Sequence, residues 1–595
     1  MVSFADEHEE KHIHYKFPLT EYSTLEEWER KRAKIRERIL FSAGLMPFPK
    51  KDELNVKIFD KVEFDDFTVE KVTFTSLPGF EVTGNLYKPR FLAGKVPAIL
   101  NPHGHWLGGR LDYANRKQAY EAPDSVQEPV RNANFAKMGF VSFSYDMVGY
   151  VDSRQLDHQF EGELHALWGI SLLGLQLWNS IRALDFVSSL PEVDSNNIGC
   201  TGASGGATQA MLLGAVDDRL KLLAPVNMIS AHMQGGCRCE NAPNLRIVTN
   251  NVEIASVFAP KPMLVTGCSG DWTCNLETVE FPAIRNIYRL YGAEDRVGSF
   301  FDDAPHNYNK KTREAVYRFF RSHFLGKDDW WHEQPVDFGE DCSMLRIYPI
   351  RMESEKKDER YAMCLFAQLK EEKAAFLAEV IDKIKSTIEG HGKISQEDSE
   401  GETNRLFKRL EHVFELDTDL DKDLDSLGKK DVQASGSAAI IVRLKDAGSA
   451  EGDQRLEALL QDRRANFQEM FTYTIAAGDS FRPFGADRSL AAHYHTYNMS
   501  KPVRAVHEFL QFYRTVRQKA FSSIEVFGFG EAGLVVLAAL PFVGDLDRAY
   551  LHVHEFDFND DTHYIDRFFV PHFCSAGGFN ASLLFAPSHR VELIR

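Results

Sequence analysis

Gly202-Ala203-Ser204-Gly205-Gly206 sets a serine into a G-x-S-x-G turn. A nucleophile held between a strand and a helix needs a sharp, partly strained backbone, and glycines two positions either side let strand and helix close around it. The surrounding sequence has the order such a turn requires. Upstream, Leu177, Ile181, Leu184 and Val187 recur at helical spacing until Pro191 stops them, Asn196-Asn197 supplies a turn, and Ile198 to Thr201 is a short run of strand length. Downstream, Ala207 to Leu213 reads as a helix of small residues able to pack closely on a sheet. A glycine-rich turn carrying a solvated serine would need none of this order.

A serine hydroxyl is a poor nucleophile until an imidazole takes its proton, and the imidazole needs a carboxylate to hold its tautomer. Behind an elbow of this kind the chain order is serine, acid, histidine, on loops after later strands. Pro262 to Gly267 reads as a buried strand running into Cys268-Ser269-Gly270-Asp271-Trp272, which puts Asp271 at a strand's carboxyl end. Val297 to Phe301 reads as a further strand, followed by Asp302-Asp303-Ala304-Pro305-His306-Asn307 and a helix over Thr312 to Phe324. His306 is the candidate base and Asp271 its acid; Asp302 and Asp303 compete, but lie too near His306 along one loop to reach its far nitrogen easily.

An oxyanion needs two N–H donors. The amide of Gly205 is one, and the loop Asn101 to Arg110 offers the amide of His105 as the other. His103 and His105 also read as plain polar loop residues, and a two-histidine metal site has no evident third ligand. Trp106, Arg110, Tyr150, Met233 and Trp272 lie on loops at the same end, with Cys237 to Asn241 as a further wall; each suits packing as well as it suits a substrate.

A chain of 595 residues predicts two or three domains, and 44% apolar residues with 12% aromatics allow large cores. A formal net charge of −18 argues against nucleic acid or an anionic membrane as partner. Met1 to His14 is dense in charge and has no apolar stretch typical of a secretion signal, so a cytoplasmic setting is expected for the sequence as given, and a secreted one for a trimmed chain. The longest uncharged apolar run, Ala532 to Val543, is too short to span a bilayer. Eight cysteines make no disulfide framework. Cys237-Arg238-Cys239 has the look of half a metal site, but no second Cys/His pair follows at zinc-finger spacing. Cys268 and Cys274 bracket Asp271 and could bridge in an exported chain. The expectation is four reduced thiols packed near the site, with no metal.

Residues 1–60 read as a charged N-terminal helical segment, with the helix over Leu25 to Leu40. Residues 61–330 open with an antiparallel hairpin, Phe67 to Phe74 and Val82 to Tyr87 around Pro78-Gly79, and continue as short apolar strands alternating with helices. That alternation predicts an α/β architecture with a mostly parallel, doubly wound sheet. Residues 331–432 read as a charged helical connector, and apolar strands return over 433–595.

Residues 96–325 resemble the acetyl xylan esterase-like branch of the α/β-hydrolase superfamily, as found among bacterial carbohydrate esterases. The segments carrying the resemblance are Pro102 to Trp106, Ser144 to Tyr150, Gly202 to Gly206, Gly270-Asp271-Trp272 and His306 to Asn309. The resemblance implies a Ser204–His306–Asp271 triad and ester hydrolysis through an acyl-enzyme, without cofactor. The function expected is a serine carboxylesterase acting on small acyl esters, acetyl esters first, carbohydrate esters among them. A serine peptidase or amidase on the same triad is the alternative.

In the second half, Gly528, Gly530 and Gly533 match a dinucleotide-binding G-x-G-x-x-G after the strand Ile524 to Phe527. A second reading fits better. Helix, Asp547-Arg548 and the strand Leu551 to Val553 follow Gly530 just as helix, Asp218-Arg219 and the strand Leu222 to Val226 follow Ser204. This predicts a degenerate, non-catalytic α/β-hydrolase-like domain with Gly530 in the nucleophile's place and Leu583-Leu584-Phe585 as the counterpart of Met263-Leu264-Val265. A non-catalytic or nucleotide-binding protein working through this second domain is the reading from another class. A small-molecule or carbohydrate ester is the partner expected, and self-association is left open.

Overall fold

Nine strands build one sheet in the computed structural model, its central ones apolar and covered on both faces. The strands are β1 (Lys57–Glu63), β2 (Phe67–Leu77), β3 (Phe80–Pro89), β4 (Val96–Pro102), β5 (Val141–Tyr145), β6 (Val193–Ala203), β7 (Leu220–Val226), β8 (Met263–Gly270) and β9 (Val297–Pro305). Their order is β1-β2-β3-β5-β4-β6-β7-β8-β9. The first three are antiparallel, β3 is antiparallel to β5, and every later pairing is parallel. All of β5 and the inner parts of β4, β6 and β7 are buried, as parallel strands between two helical layers must be. β4 sits between β5 and β6, so the chain leaves β4 for one side and later returns on the other. Loops diverge at such a switch point and leave a crevice at the strands' carboxyl ends.

The structure describes residues 10–113, 126–348, 359–391, 401–416, 436–444, 451–475, 493–519, 521–544, 546–586 and 590–594. The chain divides into two compact units, Met1–Glu161 with Ser171–Leu365, and Gly162–Ile170 with Phe366–Arg595. No helix among the described residues is long and apolar enough to cross a membrane. The helix Leu25–Ser42 buries Trp28, Ile35 and Ile39 within the first unit.

Residues 331–348 are not the start of a charged connector. Val336, Phe338 and Leu345 are buried against Phe67, Val69 and Tyr87 of the first sheet. Arg313, on the helix Lys310–Leu325, holds Glu333 through paired contacts of 2.6 and 2.7 Å. Charge density had masked the apolar residues interleaved there. The helices Glu359–His391 and Glu402–Val413 follow; the rest of the expected connector, 349–358, 392–400 and 417–432, lies outside the described residues.

The second unit holds a wholly parallel five-stranded sheet of β10 (Ser437–Leu444), β11 (Glu469–Ile475), β12 (Ser523–Gly528), β13 (Arg548–His552) and β14 (Val591–Ile594), in the order β11-β10-β12-β13-β14. This repeats β5-β4-β6-β7-β8 of the first sheet strand for strand. One expectation is corrected: Leu583-Leu584-Phe585 ends the helix Gly578–Phe585, and β14 is the counterpart of β8. A three-residue apolar run fits either period, and the residues before it bury Phe579, Ala581 and Ser582 on a helical face.

Candidate active site

Ser204 stands between β6 and the helix Gly205–Val216 with φ 56° and ψ −123°. That positive φ is strained for a residue with a Cβ, costing on the order of 1–3 kcal/mol, and it persists only where the surroundings enforce it. Two contacts enforce it here: the Ser204 N–H donates to Val226 O of β7 at 3.0 Å, and Thr208 N–H donates to Ser204 O at 3.0 Å. The flanking glycines are required by close approach. A Cβ on Gly202 would lie 2.3 Å from Pro102 O, and one on Gly206 2.2 Å from the same atom. The elbow is thus pressed onto the end of β4. Ser204 is 7% exposed.

His306 Nδ1 lies 2.5 Å from Asp271 Oδ2. The Asp271 side chain is buried; its other oxygen accepts from Thr273 N–H at 2.6 Å and from Thr273 Oγ1 at 2.5 Å. Burial works to raise the Asp271 pKa, but the hydrogen bonds from His306, Thr273 and Cys268 outweigh it and hold the carboxyl below its ordinary range. His306 Nε2 is buried and has no hydrogen-bond partner among the described residues. The competing carboxylates are engaged elsewhere: Asp303 accepts from Ser269 Oγ at 2.5 Å, and Asp302 from Asn309 Nδ2 at 2.6 Å and Lys311 Nζ at 3.1 Å.

Sequence next to His306 fixes its loop. Asn227 Nδ2 donates to Asn307 O at 2.9 Å, Tyr308 Oη shares a hydrogen bond of 2.9 Å with Thr201 Oγ1 on β6, and the Arg131 guanidinium lies 4.3 Å over the Tyr308 ring. Asn309 caps the helix Lys310–Leu325 by accepting from Thr312 N–H at 3.0 Å.

The loop after β4 faces the elbow. A Cβ on Gly205 would lie 2.4 Å from the His105 ring and 2.8 Å from Met147 Cε, which places the His105 imidazole against Gly205. His103 is completely buried; its Nδ1 donates to Gly104 O at 2.7 Å and its Nε2 accepts from Met147 N–H at 2.9 Å, joining the loops after β4 and β5. Trp106 and Trp272 flank His306, with ring centroids at 5.9 and 4.4 Å. Tyr150 packs on His103, His105 and His158. Met233 Sδ accepts from Gly235 N–H within its own loop at 3.1 Å.

Arg110 does not reach a substrate. Its side chain is fully buried, paired with Asp146 at 3.0 Å and with Asp152, and donates to Asn85 Oδ1 at 2.5 Å. A guanidinium without access to water needs such partners, and they anchor the β4 loop from beneath. All eight cysteines are unbridged; Cys268 is buried and Cys274 exposed. Sequence reasoning missed His158. With His105, Cys237 and Cys239 it forms a group of ligand atoms all within 4.8 Å of one another.

No family model matches the chain. It is 25% identical over 245 residues to YtaP of Bacillus subtilis (strain 168), a protein named as a hydrolase; the match covers 39% of this chain and 79% of that one. Acetyl esterase Axe7A of Xylanibacter ruminicola is 25% identical over 174 residues, 27% of this chain and 36% of its own length. Among solved structures, Methylesterase BT1017 is 29% identical, covering 59% of this chain and 78% of that chain, with a TM-score of 0.46. Sheet order and the elbow give this chain an α/β-hydrolase-type fold, and with its curated relatives it is a hydrolase similar to the acetyl xylan esterase-like enzymes.

Proposed function

We propose that the chain is a serine carboxylesterase that hydrolyses small acyl esters of carbohydrates, acetyl esters first, through an acyl-enzyme. The observations carrying this are the strained Ser204 at the carboxyl end of β6 and the 2.5 Å His306–Asp271 pair on the loops after β9 and β8. Ser204 Oγ attacks the ester carbonyl while His306 Nε2 takes its proton, and Asp271 stabilises the imidazolium through Nδ1–H. The amides of Gly205 and His105 receive the oxyanion. Collapse expels the alcohol, which leaves with the proton from His306; water, deprotonated by the same nitrogen, then attacks the acyl-enzyme and releases the acid. Trp106 and Trp272 beside His306 offer aromatic faces suited to a sugar ring.

Replacing Ser204 by alanine is expected to abolish p-nitrophenyl acetate hydrolysis and leave the thermal melt nearly unchanged. Retained turnover in that variant would remove Ser204 from the mechanism. A panel of acetylated oligosaccharides beside aminoacyl amides tests the substrate class, and faster amide cleavage would decide for a peptidase.

A further inference from the structure

The loops after β4, β5 and β7 bring two histidines and two cysteines to one point. His105 Nε2 lies 3.0 Å from Cys239 Sγ, and His158 Nε2 lies 3.2 Å from Cys237 Sγ. All four ligand atoms fall within 4.8 Å of one another. Tetrahedral zinc, with Zn–S about 2.3 Å and Zn–N about 2.0 Å, needs ligand atoms roughly 3.3–3.8 Å apart. Only small adjustments separate the observed group from that shape.

The surroundings orient these ligands as a metal site requires. His158 Nδ1 donates to Val148 O at 2.6 Å, which directs Nε2 at the sulfurs. Glu240 is buried, with Oε1 3.9 Å from His105 Nδ1 and Oε2 accepting from Cys237 N–H at 2.9 Å. Asn241 Nδ2 donates to Cys237 O at 2.8 Å, and Gln209 Nε2 to Cys239 O at 3.3 Å. Two thiolates and two neutral imidazoles around a divalent ion leave no net charge, which suits a site where Cys239 is completely buried.

We propose that His105, His158, Cys237 and Cys239 hold a zinc ion in a closed four-ligand site that braces the loop carrying the His105 amide. Soft sulfur with imidazole in a tetrahedral set selects zinc over magnesium or calcium. Binding releases two thiol protons to solvent as two Zn–S and two Zn–N bonds form. With all four positions taken by the protein, the ion is structural and presents no open position to substrate. His105 is thereby a positioning residue as well as an amide donor. That second part rests on the esterase reading; the metal site itself does not.

The test is metal content of the full chain purified without chelator. Mass spectrometry of the metal is expected to find one zinc per chain, lost in Cys239→Ser and in the double variant Cys237→Ser/Cys239→Ser. Exchange of the unmutated protein into cobalt is expected to give thiolate-to-cobalt charge transfer and tetrahedral visible bands, a readout that no variant's folding can confuse. A chain that binds neither added zinc nor cobalt, or a Cys237–Cys239 disulfide found by intact mass after alkylation, would overturn the proposal. So would metal content unchanged in the double variant. Metal removal should lower kcat on p-nitrophenyl acetate by up to about 10²–10³-fold, the effect of losing one oxyanion donor. If both forms are inactive but zinc binds as described, the esterase reading fails and the metal site stands.

Discussion

At the scale of single residues, the pairing of His306 with Asp271 divides three nearby carboxylates into one partner and two bystanders. Asp271→Asn keeps the shape but holds the imidazole in the wrong tautomer, and kcat is expected to fall about 10⁴-fold. Asp303→Asn, at a carboxylate that accepts from Ser269 rather than His306, should leave kcat within about twofold on the same reasoning. Steady-state kinetics of the two variants with p-nitrophenyl acetate make the comparison, and equal losses would refute the assignment. That Asp271 and His306 would meet was readable in the sequence because each follows a recognisable apolar strand, so position along the chain implied position in space. The four ligands of the proposed zinc site were not. They come from three loops with no fixed spacing between them, and only the Cys237-x-Cys239 pair left a local trace.

Among the elements, the helix Lys310–Leu325 and the segment 331–348 work as a unit that closes the first sheet behind His306. Arg313 donates to Glu333, to Tyr308 O at 2.6 Å and to Val126 O at 3.0 Å, while Tyr317 Oη donates to Glu333 at 2.7 Å. The Arg313 and Glu333 side chains are only 3% and 7% exposed. Glu333→Gln leaves that guanidinium buried without its counter-charge, and about 3–5 kcal/mol of stability should be lost in a urea or thermal melt. Burial works to raise the Glu333 pKa, but the Arg313 guanidinium and the Tyr317 hydroxyl hold it below the ordinary range. The unfolded chain therefore takes up this proton first. The pair's contribution should be complete above about pH 4.3 and lost as pH falls further, and the variant's melts should lack that part of the acid dependence. The strands that frame the site could be read from apolar runs bounded by turn residues. Glu333 could not, because a charged residue in a charged stretch looks solvated until its partner on another element is known. Leu583 to Phe585 failed for the opposite reason: a short apolar run carries no period of its own.

Across the whole molecule, one strand order occurs twice and one elbow conformation occurs twice. Gly530 has φ 59° and ψ −132°, close to the φ 56° and ψ −123° of Ser204, but a Cβ there would lie 2.5 Å from His554 Nε2. A fluorophosphonate probe is accordingly expected to label one serine per chain, and none in Ser204→Ala; intact mass counts the adducts, and a second adduct would point to a nucleophile in the other unit. The two elbows also differ in what they cost. Glycine adopts this backbone freely, whereas serine holds it against a steric penalty of about 1–3 kcal/mol. Gly530 in the second unit carries neither that penalty nor a side-chain oxygen. The same exchange made in the first unit, Ser204→Gly, should therefore yield a protein that is inactive yet more stable, by about 1 kcal/mol after the added backbone entropy of glycine is deducted. Ser204→Ala keeps the Cβ and should show no such gain. Comparing the three melts would measure how much stability the chain gives up to hold Ser204 in this conformation.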